Sequence, residues 1–147
     1  MAVAVKIQRL HGNSAPLPRY QSERAAGLDL TADLAGGRIL QPLERAAIPT
    51  GIALEIPTGY EGQIRPRSGR ALAEGLALIN SPGTIDADYR GEIMVLVINL
   101  GDRPLTIHPG DRIAQLIIAP VAQVELIEVH EIGASRRSGG GFGHTGY

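Results

Sequence analysis

The chain has 147 residues, a length that suits one domain with a real core, and fourteen basic against fifteen acidic side chains give it a formal net charge of −1. So even a balance excludes a global basic field that gathers nucleic acid and leaves room only for local phosphate sites. The absence of cysteine excludes disulfides and thiolate metal sites. With no charged start leading into an apolar segment and no apolar run of spanning length, a soluble cytoplasmic protein without membrane contact is expected.

In chain order, Val3, Val5 and Ile7 alternate with smaller or polar residues, the pattern of a strand with one buried face. Ile48 to Ile56 reads as a second strand, ended by a Pro57-Thr58-Gly59 turn. One stretch invites a helix of one or two turns: Ser68 can cap it, Arg70 to Glu74 favour it, and Gly75 can end it. Pro82 to Glu92 reads as a strand end, a turn through Ala87 to Gly91 and a returning strand, a β-hairpin loaded with polar groups.

Glu92 to Leu100 and Arg112 to Pro120 are nearly continuous apolar runs, and so is Val121 to Val129 with acidic interruptions. Gly101-Asp102-Arg103-Pro104 and Pro109-Gly110-Asp111 are turn sequences between them. Within Ile93 to Ile98, Ile93, Val95 and Val97 share one face, and Met94, Leu96 and Ile98 the other. An antiparallel strand of a small barrel should show one face to water. Two apolar faces therefore predict that one packs the barrel and the other a second subunit. Ten prolines and nineteen glycines punctuate these runs, which predicts an all-β barrel or sandwich with one short helix.

The chemistry-bearing residues fall between these elements. Asp86 follows Thr84-Ile85 at a strand end, where a rigidly held carboxylate can act as a base toward water. Ser68, with Arg67 before it and Gly69 after it, offers a hydroxyl, backbone N–H groups and charge to an anion. The tail from Ser138 to Gly146 holds the only phenylalanine, Phe142, in glycine-rich chain that cannot bury it. With Arg136 and Arg137 upstream, the tail suits a ligand carrying both phosphate and a base.

Taken in order, Ala26-Gly27-Leu28-Asp29-Leu30, Pro66-Arg67-Ser68-Gly69, the run Gly83 to Glu92, Gly110-Asp111-Arg112-Ile113-Ala114-Gln115-Leu116, and Arg137 with Gly140-Gly141-Phe142-Gly143 resemble the five motifs of the trimeric dUTP pyrophosphatases (dUTPases). Three positions depart from that pattern: Leu28, where the family often has tyrosine; Arg70, where an apolar residue is usual; and Ser138, where glycine is common.

The resemblance implies a homotrimer of jelly-roll-like, distorted β-barrel subunits, with sites shared between chains. Residues 1–134 would form the barrel, and residues 135–147 a flexible arm that closes over the site. The reaction implied is Mg²⁺-dependent hydrolysis of dUTP to dUMP and pyrophosphate, which clears dUTP from the nucleotide pool and supplies dUMP for dTMP synthesis. Asp86 would be the general base and would also meet the 3′-hydroxyl. Tyr89 would lie under the deoxyribose and exclude a 2′-hydroxyl.

Asn80, with backbone groups of Thr84, Ile85 and Met94, would read uracil. Arg67, Ser68, Gly69 and Gln115 would take phosphates, and Asp29 would hold Mg²⁺ through water. Phe142 would stack on uracil and Arg137 would reach the γ-phosphate. The competing readings are a dCTP deaminase or bifunctional deaminase–dUTPase, and a non-catalytic nucleotide-binding trimer.

Overall fold

The computed structural model describes residues 2–146; Met1 and Tyr147, the outer ends of the expected barrel and arm, lie outside them. Among the described residues there are ten strands and one helix, in the order β1 (Lys6–Arg9), β2 (Leu28–Thr31), β3 (Arg38–Leu40), β4 (Arg45–Glu55), β5 (Tyr60–Arg65), α1 (Ser68–Glu74), β6 (Leu76–Leu78), β7 (Gly83–Ile85), β8 (Glu92–Asn99), β9 (Leu105–Ile107) and β10 (Arg112–Pro120). They form two four-stranded sheets, β1-β4-β8-β6 and β2-β10-β5-β7, and a small β3-β9 sheet. All pairings are antiparallel. The all-β class with one short helix is the class the sequence predicts.

Alternation builds the core. Ile93, Val95 and Val97 of β8 are fully buried and meet Ile48, Ile52 and Leu54 of β4, Leu30 of β2, Ile64 of β5, and Ile113 and Leu116 of β10. The other face of β8 is open in the single chain, with Met94 36% and Leu96 37% exposed. That is the two-faced strand of the sequence reading. Pro49 can sit in the central strand β4 because the register to β8 shifts between Pro49 and Ala53, where no regular ladder donor is needed. At this irregularity Gly51 takes φ +67°, its N–H donates to Glu92 Oε1 at 2.9 Å, and Thr50 Oγ1 donates to the Ile93 carbonyl at 2.6 Å.

Four expectations change. The first strand begins only at Lys6, and Val3 and Ile7 are exposed, because the apolar hollow they line with Tyr20, Leu28 and Leu116 is open on one side. Val121 to Val129 forms no strand: it runs as exposed coil, with Val124, Leu126 and Ile127 open to solvent, since apolar content without a pairing partner makes no ladder. Ser68 is the first helical residue rather than the cap; Arg67 occupies the cap position, and no side chain bonds there. Gly75 does end the helix, in the left-handed region at φ 74°.

The fourth concerns Pro82 to Glu92. β7 pairs with β5, and β8 pairs with β4 and β6, so this segment is an arch between the two sheets and not a hairpin.

Candidate functional site

The arch carries the site. Asp86 directly follows the last residue of β7, and its carbonyl accepts the Tyr89 N–H at 3.1 Å, which closes a turn through Ala87 and Asp88. The Tyr89 hydroxyl donates to the Glu92 carbonyl at 2.9 Å where β8 begins. A cavity of about 240 Å³ opens between this arch and the outer face of β8. Asn80, Thr84, Ile85, Asp86, Tyr89 and Met94, six residues singled out from sequence, all line it. A Cβ on buried Gly83 would come within 3.1 Å of Asn80 Nδ2, so the missing side chain lets the amide pack against the β7 backbone.

Ile64, Gly83, Glu92 and Leu96 complete the lining and were not singled out from sequence as site residues. Glu92 is the informative addition. Its carboxylate holds the Gly51 N–H on one oxygen and faces His11 Nε2 at 3.4 Å with the other. On the far side of the arch, Glu55 pairs with Lys6 at 2.9 Å. That hydrogen bond and the lysine charge, with a smaller pull from Arg90, hold the Glu55 carboxyl below its ordinary value.

The phosphate-type residues form a second group. β10 lies between β2 and β5, with Gln115 opposite Asp29 on one side and Arg65 on the other. The Asp29 side chain is 12% exposed and carries two guanidinium groups, Arg67 Nε at 3.0 Å on Oδ1 and Arg112 Nη1 at 3.1 Å on Oδ2. Gln115 Nε2 donates to the Pro66 carbonyl at 2.9 Å and ties β10 to the residue before Arg67. Ser68 and Gly69 begin α1 beside them, both exposed. Arg112 was not singled out, although it stands in the fourth motif; its partner Asp29 is 83 residues away in sequence.

Arg70, the unusual residue of the second motif, has a defined job. It donates to Glu74 at 2.5 and 3.2 Å, to Asp111 Oδ2 at 3.2 Å and to the Thr106 carbonyl at 3.2 Å. α1 buries no residue, so this fork is what fastens it to the β9–β10 turn.

Two expected site residues stand apart. Phe142 is fully exposed, with a positive φ of 47°, and Arg137 Nε donates to the Gly140 carbonyl at 2.7 Å inside the tail. Among the described residues, the hydrogen bonds of residues 135–146 run within that segment. The Arg67–Arg112 cavity and the Asp86 cavity share no lining residue.

Among the described residues no three His, Asp or Glu side chains gather as metal ligands. A lone carboxylate already facing arginines does not fit an all-protein cage. It does fit a magnesium ion held by substrate phosphates and water.

The dUTPase family model matches residues 13–146 of the chain. A deoxyuridine 5′-triphosphate nucleotidohydrolase of Syntrophotalea carbinolica is 54% identical over 145 residues, covering 99% of this chain and 98% of its own. The protein so named in Bdellovibrio bacteriovorus is 54% identical over 144 residues, covering 98% and 97%. Among solved structures, Staphylococcus bacteriophage 80alpha dUTPase with dUPNHPP aligns at a TM-score of 0.88 and 30% identity, over 98% of this chain and 99% of its own. A mutant dUTPase from phage phi11 of S. aureus, described for its coordination of a structural Mg(II) ion, aligns at 0.79 and 27% identity over 89% and 99%.

Proposed function

The chain belongs to the dUTPase family, and on that premise we propose that it hydrolyses dUTP to dUMP and pyrophosphate at the cavity between the arch and β8. The observation that carries this reading is the convergence of Asn80, Thr84, Ile85, Asp86, Tyr89 and Met94 on one cavity. Asn80 and the backbone of Thr84, Ile85 and Met94 read the uracil edge. Tyr89 supports the deoxyribose and leaves no room for a 2′-hydroxyl. Asp86 meets the 3′-hydroxyl and takes a proton from the attacking water. The water oxygen bonds to the α-phosphorus as the bond to the bridging oxygen breaks, and pyrophosphate leaves with that electron pair.

Arg67, Ser68, Gly69 and Gln115 hold the phosphate chain. Asp29 would hold, through water, a Mg²⁺ ion bound to the substrate phosphates, and such an ion would supply charge neutralisation on the triphosphate. The full site is a trimer's. Two features support this: the open apolar face of Met94 and Leu96, and the exposed apolar coil from Val121 to Ile132. Residues 1–134 act as the barrel, and residues 135–147 as the arm that brings Arg137 and Phe142 over bound nucleotide.

Among the described residues no helix is long and apolar enough to cross a membrane. The cysteine-free composition suits the cytoplasm, where we place the enzyme.

Pyrophosphate release measured with dUTP, dTTP, dCTP and UTP in the presence of Mg²⁺ tests the assignment. Turnover of dUTP with little from the other three is the expected result. Ammonia released from dCTP would favour the deaminase reading, and silence with every nucleotide a non-catalytic binder.

A further inference from the structure

Glycine at position 91 is not there for the backbone. Its φ lies outside the left-handed region that favours glycine. The obstacle is the Tyr89 ring. A Cβ on Gly91 would stand 2.4 Å from the Tyr89 hydroxyl oxygen, 2.6 Å from Cζ and 3.0 Å from Cε2, closer than real Cβ contacts come. Nor can the ring yield freely. Its backbone N–H is bonded to the Asp86 carbonyl at 3.1 Å and its hydroxyl to the Glu92 carbonyl at 2.9 Å. Tyr89 is thus a strut across the arch, tied at both ends, with the hydroxyl end of its ring in the space a side chain at position 91 would take. Tyr89 lines the nucleotide cavity and Gly91 does not.

We propose that Gly91 is a positioning residue that sets sugar selectivity through Tyr89, by letting the ring lie low enough to wall off a 2′-hydroxyl. The inference rests on the dUTPase reading of this site. A methyl group at position 91 strikes the hydroxyl end of the ring, which must then leave its place on the Glu92 carbonyl. The displaced ring no longer fits the sugar it supports. dUTP, whose deoxyribose rests on that surface, loses more than UTP, which the ring excludes already.

The test is kcat/KM for dUTP and for UTP in four proteins: wild type, Gly91→Ala, Tyr89→Ala and the double variant. Gly91→Ala should lower the dUTP/UTP ratio by about tenfold or more, the scale on which one methyl-sized steric change acts. In the Tyr89→Ala background the same substitution should add nothing, because the ring it displaces is gone. Should Gly91→Ala alone fail to fold, the double variant must still fold and match Tyr89→Ala in ratio. A purely structural role would reduce both substrates in proportion. An unchanged ratio in Gly91→Ala, or an equal further drop in the Tyr89→Ala background, overturns the inference while wild-type dUTP hydrolysis stands. A wild type that hydrolyses no dUTP overturns both.

Discussion

Arg67 Nε lies 3.0 Å from Asp29 Oδ1, so the cation proposed for the triphosphate and the carboxylate proposed for its magnesium form an ion pair. Arg112 takes the second oxygen at 3.1 Å and would keep the carboxylate oriented were Arg67 to turn to phosphate. Asp29→Asn removes the charge that both arginines share and, on the proposed reading, one of the two oxygens that would accept from magnesium-bound water. The Mg²⁺ concentration giving half-maximal rate should rise about 10–100-fold, the usual effect of losing a residue that supports a metal from outside its ligand shell. A magnesium titration that superposes on the wild-type curve would separate Asp29 from the ion.

Arg70 gives a stability prediction. Replacing it with leucine removes its bonds to Glu74, Asp111 and Thr106 from a helix that buries nothing. Charged hydrogen bonds of this kind are worth about 1.5–3 kcal/mol, and the denaturant midpoint should fall accordingly. Arg70→Lys should recover little, because one ammonium cannot reproduce the planar fork. Full stability in both variants would show that α1 is held by something else.

Asp86→Asn should bind dUTP as the parent does, yet turn over about 10²–10⁴-fold more slowly. The amide would keep the shape and the proposed 3′-hydroxyl contact but could not take the proton. Calorimetric binding alongside pyrophosphate release distinguishes the two effects. Parental turnover in the variant removes Asp86 as the base.

How far could this be read from sequence? The strands with the clearest alternation were legible. Ile93, Val95 and Val97 against Met94, Leu96 and Ile98 show in the chain the two faces that the fold then separates. The cavity residues were legible because they are close in sequence, from Asn80 to Met94. Pairing was not. Turn residues from Ala87 to Gly91 announce a reversal, but only the partners β5 and β4 show that the chain changes sheets there. Val121 to Val129 has the composition of a strand and no ladder within the chain, since composition states what can pair and not what does. The Asp29–Arg112 contact joins segments 83 residues apart, beyond any local pattern. The need for glycine at position 91 depends on where a ring lies, which spacing does not record.

The tail supplies no core, with Phe142 fully exposed. Deleting residues 136–147 should leave the fold and a trimer intact by light scattering while kcat falls sharply. Phe142→Ala should cost less than the deletion, since base stacking contributes about 1–3 kcal/mol. Full activity after truncation would make the segment an idle terminus.

Attack of water on the α-phosphorus of dUTP leaves a signature in where isotope ends up. Hydrolysis in ¹⁸O-water, followed by mass spectrometry of both products, should place one labelled oxygen in dUMP and none in pyrophosphate. Label in pyrophosphate, or release of orthophosphate in its place, would exclude attack at the α-phosphorus.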